Sequence, residues 1–227
     1  MSTFKEIRGF TIKKYTTNPT NPLLGEMWYN NTTGTLKVYT DIGGAFASGG
    51  NLNVGRNAIR AMGTQTSALA VGGDGSPGPS GATEQYNGTS WTTSPGVMSP
   101  TRNSGGMSTA GTVTAAWYAG GSNPGGRQSN TSEFDGTSWA AGGTYPLTVD
   151  LGGAGTLTAG LAWGGTLPGT WYTTTNKYDG TSWTATGSLN TGRTQTTGCG
   201  LQSAALSAGG ETPGLTNSSE TFDGSTW

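Results

Sequence analysis

Four short apolar segments recur along the chain, and each is followed at once by two glycines. Six residues are too few for a stable helix, and the apolar positions show no 3.6-residue period, so each segment predicts a buried β-strand. Two residues without a Cβ then permit positive φ, a bulge or the close approach of another backbone. The segments are TSALAV, TAAWYA, TAGLAW and SAALSA, ahead of the glycine pairs 72/73, 120/121, 164/165 and 209/210.

A second pattern follows each glycine pair. A loop with a Pro-Gly step leads to Tyr or Phe, then to Asn-Gly or Asp-Gly, and finally to a tryptophan. The Asn-Gly or Asp-Gly step predicts a two-residue type I′ turn between two strands, with the acidic residue acting as a turn former rather than as a calcium ligand. The tryptophans, which lie 48, 44 and 44 residues apart, are Trp91, Trp139, Trp183 and Trp227.

The two markers stay in phase, which indicates an internal repeat. The tryptophan follows the second glycine of its pair by 18, 18, 18 and 17 residues. With a glycine-spaced inner strand such as GGMSTAG or TTGCG added, each unit holds about four strands in about 45 residues, as in a propeller blade. The sequence therefore predicts an all-β fold with at least four blade repeats of about 45 residues.

The N-terminal part of the chain belongs to a different module. Residues 1–41 carry 8 of the 23 charged side chains, and EMWYNNTTGTLKVYT predicts a β-hairpin. We place the domain boundary between residues 1–45 and residues 46–227. Aligning AFASGGNLNVGR with SWTATGSLNTGR puts Phe46 at the position of the repeated tryptophan.

Composition and charge exclude several functions. The net charge of −1 without a basic cluster argues against nucleic-acid binding, and no apolar stretch is long enough to predict membrane insertion. The chain has no histidine, which removes the commonest general base and most transition-metal sites. We therefore expect no catalytic residue, no metal and no cofactor. The single cysteine, Cys199, is expected to be an inert thiol in the core.

The repeat resembles the kelch repeat over residues 46–227. Arg56, Arg102 and Arg193 occupy the arginine position of that pattern, and Thr148 stands there in the third repeat. The arginines are expected to bond neighbouring backbone carbonyls rather than a ligand. The resemblance implies a β-propeller with aromatic wedges between adjacent blades, and stacking on sugars is the alternative role for the same residues. The wedge residues are Phe46, Trp91, Trp139, Trp183 and Trp227.

The number of blades stays open at this point. The repeats fit either a four-bladed ring or part of a longer polypeptide with six or seven blades. We favour the second interpretation, because an incomplete ring would expose the edges of its sheets.

Residues 16–40, TTNPTNPLLGEMWYNNTTGTLKVYT, are similar to N-terminal segments of structural proteins from tailed bacteriophages. The resemblance implies a virion component assembled in the host cytoplasm, such as a tail fibre, a neck fibre or a capsid decoration protein. Residues 1–45 would dock onto other virion proteins, and the propeller would be displayed outward. A homo-oligomer is also expected.

The loops after the glycine pairs differ between repeats, and binding residues concentrate on loops held by a rigid frame. We select Arg127, Trp171 and Tyr172 as candidate contacts to a partner protein or a host-surface glycan. A lectin-like receptor binder is therefore the alternative to a purely structural protein. An enzyme is disfavoured, since the copper site of galactose oxidase, which is a kelch protein, needs histidine ligands.

Overall fold

A computed structural model describes residues 12–20, 26–38, 48–147 and 149–227. In these ranges the chain forms strands and loops and contains no helix, so no helix there could span a membrane. The prediction of an all-β protein is confirmed for these residues. Phe46 and Thr148 lie outside the described residues. The chain divides into two compact units, Met1–Ser48 and Gly49–Trp227.

The first unit contains a three-stranded sheet of β1 (Lys13–Tyr15), β2 (Met27–Asn30) and β3 (Thr35–Val38). Strand β1 runs parallel to β2, and β2 and β3 form an antiparallel hairpin. Asn30 stabilises the hairpin loop, because its Oδ1 accepts hydrogen bonds of 3.0 Å from the backbone N–H groups of Thr32 and Thr33. Its Nδ2 donates to Asn18 Oδ1 at 3.1 Å, which ties the preceding loop to the sheet.

The second unit contains four antiparallel repeat sheets, three with four strands and one with three. The first sheet comprises β4 (Arg60–Thr64), β5 (Ser67–Val71), β6 (Thr83–Tyr86) and β7 (Trp91–Thr93). The second repeat comprises β8 (Gly106–Met107), β9 (Ala116–Ala119), a ribbon of β10 (Ser122–Asn123) and β11 (Gly126–Arg127), then β12 (Thr131–Phe134) and β13 (Trp139–Ala141). The ribbon lies outside the sheet.

The third repeat comprises β14 (Gly152–Gly155), β15 (Gly160–Trp163), a ribbon of β16 (Thr166–Leu167) and β17 (Thr170–Trp171), then β18 (Thr175–Tyr178) and β19 (Trp183–Thr186). The fourth sheet comprises β20 (Thr197–Leu201), β21 (Ala204–Ala208) and β22 (Ser219–Phe222). The innermost strands of successive sheets, β4, β8, β14 and β20, pack side by side in that order. Sequence order is therefore also spatial order.

Consecutive sheets pack face to face, so that one face of a sheet is directed toward the next sheet and the opposite face toward the sheet before it. We call these the forward face and the rear face. Side chains alternate between the faces along each strand, so Leu161 points forward and the neighbouring Ala162 points to the rear. The second and third sheets are covered on both faces, which explains the nearly continuous apolar runs of β9 and β15.

The hairpin of each repeat differs from its prediction. Phe134 pairs directly with Trp139, so the loop has four residues, and the expected two-residue type I′ turn is wrong. Asp135 Oδ1 accepts hydrogen bonds from the backbone N–H groups of Thr137 and Ser138 at 2.8 and 2.7 Å, which closes the longer loop. Only the glycine needs positive φ, and Gly136 has φ +99°.

The first three glycine pairs mark the points where the backbone of the next repeat passes closely. A Cβ added to Gly120, which has φ +64°, would lie 2.5 Å from the carbonyl oxygen of Val149. The following Gly121 donates its N–H to that same oxygen at 2.9 Å. The close backbone approach predicted for the pairs is confirmed here.

Candidate functional site

The repeated arginines are buried and bonded within their own repeat. Arg56 donates from Nη1 to the carbonyl of Ala82 at 2.9 Å, and its Nη2 lies 3.0 Å from Glu84 Oε1. Both side chains of this ion pair are 0% exposed. Arg193 repeats the arrangement with the carbonyl of Ser218 and the carboxylate of Glu220. The carbonyl contacts match the expectation from sequence, and they leave these guanidinium groups without access to a ligand.

The second repeat keeps the arginine but lacks the acid. Arg102 donates to the carbonyl of Asn130 at 2.7 Å and to Ser132 Oγ at 2.6 Å. Burial without a carboxylate partner lowers the pKa of Arg102 to about 10, which still leaves it charged at neutral pH. Arg102 is thus a positive charge held by neutral acceptors.

The third repeat replaces the arginine with a tyrosine. The assignment of Thr148 to the arginine position is wrong by one residue, because the Val149 carbonyl accepts from Gly121 just as the Arg193 carbonyl accepts from Gly165. The missing guanidinium is compensated by Tyr145, whose hydroxyl accepts a hydrogen bond of 2.9 Å from Asn176 Nδ2. Burial raises the pKa of the Tyr145 hydroxyl, so it stays neutral.

The repeated tryptophans connect consecutive sheets. In three of the four, the indole lies against the aromatic ring of its own hairpin, and its Nε1 donates to a threonine hydroxyl on the preceding sheet. The donor and acceptor pairs are Trp139 with Thr83 at 2.8 Å, Trp183 with Thr131 at 2.8 Å, and Trp227 with Thr175 at 2.9 Å.

The first sheet carries the same pair of aromatic residues, and no repeat sheet precedes it within residues 48–147 and 149–227. Trp91 lies 5.0 Å from Tyr86, both are half-buried, and within the described ranges Trp91 donates no hydrogen bond to another sheet. Phe46 itself is not described. However, a Cβ on Gly50 would lie 2.5 Å from the Thr89 carbonyl, as one on Gly143 would lie 2.1 Å from the Thr181 carbonyl. Gly50 follows Phe46 by the spacing at which Gly143 follows Trp139, which supports the alignment of Phe46 with the tryptophans.

The acidic hairpin residues hold loops closed. Backbone N–H donors from the two residues that close each loop keep the pKa of Asp135, Asp179 and Asp223 below the usual range. Asn87 makes the same two backbone contacts at 2.9 Å in the first repeat. These carboxylates accept hydrogen bonds from their own loops. Among the described residues there is no group of three or more potential metal ligands.

We expect the triple substitution Asp135→Asn, Asp179→Asn and Asp223→Asn to reduce acid sensitivity. A carboxylate whose pKa is depressed on folding stabilises the protein above its unfolded pKa, near 3.8, and this stabilisation disappears as the pH falls through the folded value. Asparagine retains the contacts and does not titrate, as Asn87 shows. Thermal unfolding followed by circular dichroism between neutral pH and about pH 2 checks this. Identical acid profiles for wild type and triple variant would contradict it.

The candidate contact residues Arg127 and Trp171 occupy equivalent places in two ribbons. Each is the residue that pairs with the first residue of its ribbon, Ser122 or Thr166. Arg127 Nε lies 3.5 Å from Asp150 Oδ2, and burial raises the pKa of the Asp150 carboxyl despite that neighbour. The guanidinium of Arg127 is engaged in this ion pair with Asp150. Trp171, in contrast, is half-buried at the end of its ribbon.

Tyr172 contributes to the fold as well as to the surface. Its ring packs against the apolar cluster between the second and third sheets, and its N–H donates to the Gly165 carbonyl at 2.8 Å. In the described part of the chain, no hydrogen bond, ion pair or cation–π contact joins Arg127 to Trp171 or Tyr172. The contact role of these three residues therefore stays a prediction.

Sequence reasoning did not identify a cavity of about 190 Å³ between the innermost segments of the four repeats. Arg60 is the charged residue of its lining, and Thr109, Gly152 and Thr196 come from the other three repeats. Arg60 Nε donates to the carbonyl of Gly105, which leaves the end of the guanidinium for further donation. The only signal in the sequence was the glycine spacing of the inner strands, which predicts little side-chain volume there.

Comparison with known proteins finds a likeness of fold. The solved structure of YjhT superposes on this chain with a TM-score of 0.62 at 16% sequence identity, covering 84% of this chain and 70% of that chain. At this identity the likeness shows a shared β-fold and nothing about activity. No family model matches the sequence, and neither does any curated protein.

Proposed function

We propose that this chain is a non-enzymatic structural or appendage protein of a tailed bacteriophage particle. Residues 1–45 dock onto other virion proteins, and residues 46–227 form kelch-like propeller blades displayed for contact with proteins or the host surface. The similarity of residues 16–40 to phage structural proteins supports the assignment to a phage particle. The kelch-like spacing of the repeats supports the propeller fold. The protein then resides in the virion, after assembly in the host cytoplasm.

The order of the sheets supports the propeller. Four antiparallel sheets follow one another, with their innermost strands adjacent and a tryptophan hydrogen-bonded across each junction. This is the arrangement expected of neighbouring blades around a central axis. The likeness to YjhT is consistent with it.

The observation that carries the non-enzymatic assignment is the use of the repeated polar side chains. The arginines and glutamates bond one another and local carbonyls, and the hairpin aspartates close their own loops. An active site needs titratable groups that can face a substrate. The repeated groups instead hold the scaffold, and the sequence contains no histidine to serve as a base.

A lectin-like receptor binder is the second candidate, and the ribbon that carries Trp171 favours it. An indole at the end of a two-stranded ribbon can stack on a sugar ring while the ribbon keeps it in place. A capsid decoration protein would use the same fold with its contacts directed to the capsid surface.

Peptide mass spectrometry of gradient-purified phage particles tests the proposal. We expect peptides of this chain to co-purify with particle proteins at a fixed ratio. Detection only in the soluble fraction of infected cells would contradict the virion assignment.

A glycan array distinguishes the second candidate. Specific binding that is lost in Trp171→Ala, but kept in a Val97→Ala control on an exposed loop, would favour the lectin. Absence of binding would leave the structural role.

A further inference from the structure

The sequence contains one Asn-Gly step, and the structure places it in the hairpin loop of the first repeat. Asn87 and Gly88 begin the loop between Tyr86 and Trp91, which pair directly, and both loop residues are exposed. The loop is exposed to water in the other repeats as well, although the linker from the preceding sheet lies against each of them. The exposed residues that correspond to Asn87 are Asp135, Asp179 and Asp223.

The side-chain amide of Asn87 is held in an arrangement that suits attack on its carbon. Its Oδ1 accepts hydrogen bonds from the backbone N–H groups of Thr89 and Ser90, both at 2.9 Å. Two backbone donors on one carbonyl oxygen polarise the amide and stabilise the negative charge that develops on that oxygen during attack.

The nucleophile and the leaving group of such a reaction are both unengaged. Within residues 48–147 and 149–227, neither the backbone N–H of Gly88 nor the Nδ2 of Asn87 donates a hydrogen bond. Gly88 has φ +93° and carries no Cβ that would hinder the approach of its own nitrogen to the Asn87 side chain.

Asn217 provides a contrast within the same chain. It is exposed like Asn87, but the next residue, Ser218, has a side chain. The backbone N–H of Ser218 also donates to Thr216 Oγ1 at 3.1 Å, so this nucleophile is engaged. Exposure alone therefore does not make an asparagine equivalent to Asn87.

The first loop also contains a hydrogen-bond donor suited to a carboxylate. In the other three loops, the hydroxyl group of the residue before the tryptophan donates to Oδ2 of the aspartate. These pairs are Ser138 with Asp135 at 2.9 Å, Ser182 with Asp179 at 3.0 Å, and Thr226 with Asp223 at 3.1 Å. Ser90 holds this position in the first loop. Among the described residues its hydroxyl makes no hydrogen bond, because Nδ2 of Asn87 cannot accept one.

We propose that Asn87 is a site of spontaneous deamidation in the folded protein, through attack of the Gly88 backbone nitrogen on Cγ of Asn87. The Gly88 N–H gives its proton to water, the new N–Cγ bond forms, the Cγ–Nδ2 bond breaks, and ammonia leaves. Water then opens the resulting cyclic imide. Attack at Cγ restores the ordinary peptide bond and yields an aspartate, whereas attack at the main-chain carbonyl of Asn87 yields an isoaspartyl linkage.

The aspartate product makes the first loop chemically equal to the other three. Its carboxylate accepts the two backbone donors as charge-assisted hydrogen bonds and gains the Ser90 hydroxyl as a third. The isoaspartyl product adds one backbone atom between Tyr86 and Trp91 and conflicts with their direct pairing. The fold therefore accommodates the aspartate better. The inference is independent of the phage assignment.

Incubation of the full chain at mildly alkaline pH tests the proposal. Samples taken over time are digested and analysed by peptide mass spectrometry, with fragmentation that separates aspartate from isoaspartate. We expect Asn87 to convert before any other asparagine, including Asn217. An amide at Asn87 that stays intact throughout the incubation, or that converts later than another asparagine, overturns the proposal.

Isoelectric focusing of the same samples gives a second readout. Deamidation adds one negative charge at neutral pH, so the wild type should accumulate an acidic form with time. Asn87→Gln is the matched control, because its longer side chain cannot close the same imide ring, and it should accumulate this form more slowly. Equal accumulation in the two proteins would place the reaction elsewhere in the chain and contradict the proposal.

A double-mutant cycle tests whether the loop is suited to the product. Asn87→Asp should raise the midpoint of thermal unfolding at neutral pH, and adding Ser90→Ala should remove most of that gain. Ser90→Ala alone should leave the wild-type midpoint nearly unchanged, since the Ser90 hydroxyl is unpaired beside an amide. A lower midpoint for Asn87→Asp than for wild type would show that the loop does not accommodate the product.

Discussion

Replacing Trp183 with alanine should lower the free energy of unfolding by about 3 to 5 kcal/mol. The indole stacks on Tyr178 with 4.6 Å between ring centroids, meets Trp117 and Tyr145 edge-on at 5.2 and 5.0 Å, and donates to Thr131 Oγ1. Truncation leaves a large gap between the second and third sheets and an unpaired hydroxyl. Urea unfolding followed by fluorescence or circular dichroism measures the loss.

Trp91→Ala is the matched control for this substitution. Trp91 holds the same position in the first sheet and is half-buried like Trp183, but among the described residues it meets one aromatic ring, that of Tyr86, and donates no hydrogen bond to another sheet. Because fewer contacts are lost, we expect a cost of roughly 1 kcal/mol. Equal losses for the two variants would contradict the role of the tryptophan as a wedge between sheets.

Replacing Glu84 with alanine should cost about 3 to 5 kcal/mol, because it leaves the guanidinium of Arg56 buried without its counter-charge. The carboxylate also accepts from the backbone N–H and the side-chain amide of Asn53 at 2.7 and 2.9 Å. Removing one acceptor therefore leaves donors on two residues unsatisfied. Denaturant titration at neutral pH gives the free energy directly.

Two further variants separate the charge from the packing. The double substitution Arg56→Met with Glu84→Leu removes both charges and should recover most of the lost stability. Ser132→Ala, at the equivalent place in the second repeat, removes one hydrogen bond to Arg102 and should cost roughly 1 to 3 kcal/mol. If Glu84→Ala lowers the free energy of unfolding by less than Ser132→Ala does, the proposed contribution of the buried ion pair to stability is refuted.

The elements that sequence reasoning located correctly depend on local patterns. The apolar runs and glycine pairs identify β5, β9, β15 and β21, because a buried strand next to a crossing backbone requires large apolar residues followed by residues without a Cβ. The tryptophan spacing fixes the repeat length. Both signals lie within a few residues of the element that they specify.

The errors arise where a contact distant in sequence decides the outcome. In the third repeat, the side-chain amide of Asn176 donates a hydrogen bond to the hydroxyl of Tyr145 instead of meeting an arginine. No spacing rule connects Tyr145 to the arginine position. Cys199 is exposed because nothing described covers the last forward face, although its own strand is typical of a core. The hairpin loop is longer than predicted because the aspartate side chain closes it.

The candidate contact residues were selected by variation between loops, which gives no information on their mutual distance. The structure places Arg127 and Trp171 on separate ribbons and shows Tyr172 packing against the core. No motif in the sequence indicates the cavity beside Arg60, since residues far apart in sequence line it.

Cross-linking mass spectrometry on intact particles tests the central claim most directly. Four of the five lysines, Lys5, Lys13, Lys14 and Lys37, lie within residues 1–45, and the fifth is Lys177 in the third sheet. If residues 1–45 dock onto the virion, an amine-reactive reagent should link at least one of these four lysines to another particle protein. Particles that contain the chain but yield cross-links to other virion proteins only from Lys177, or particles that lack the chain altogether, would contradict the account.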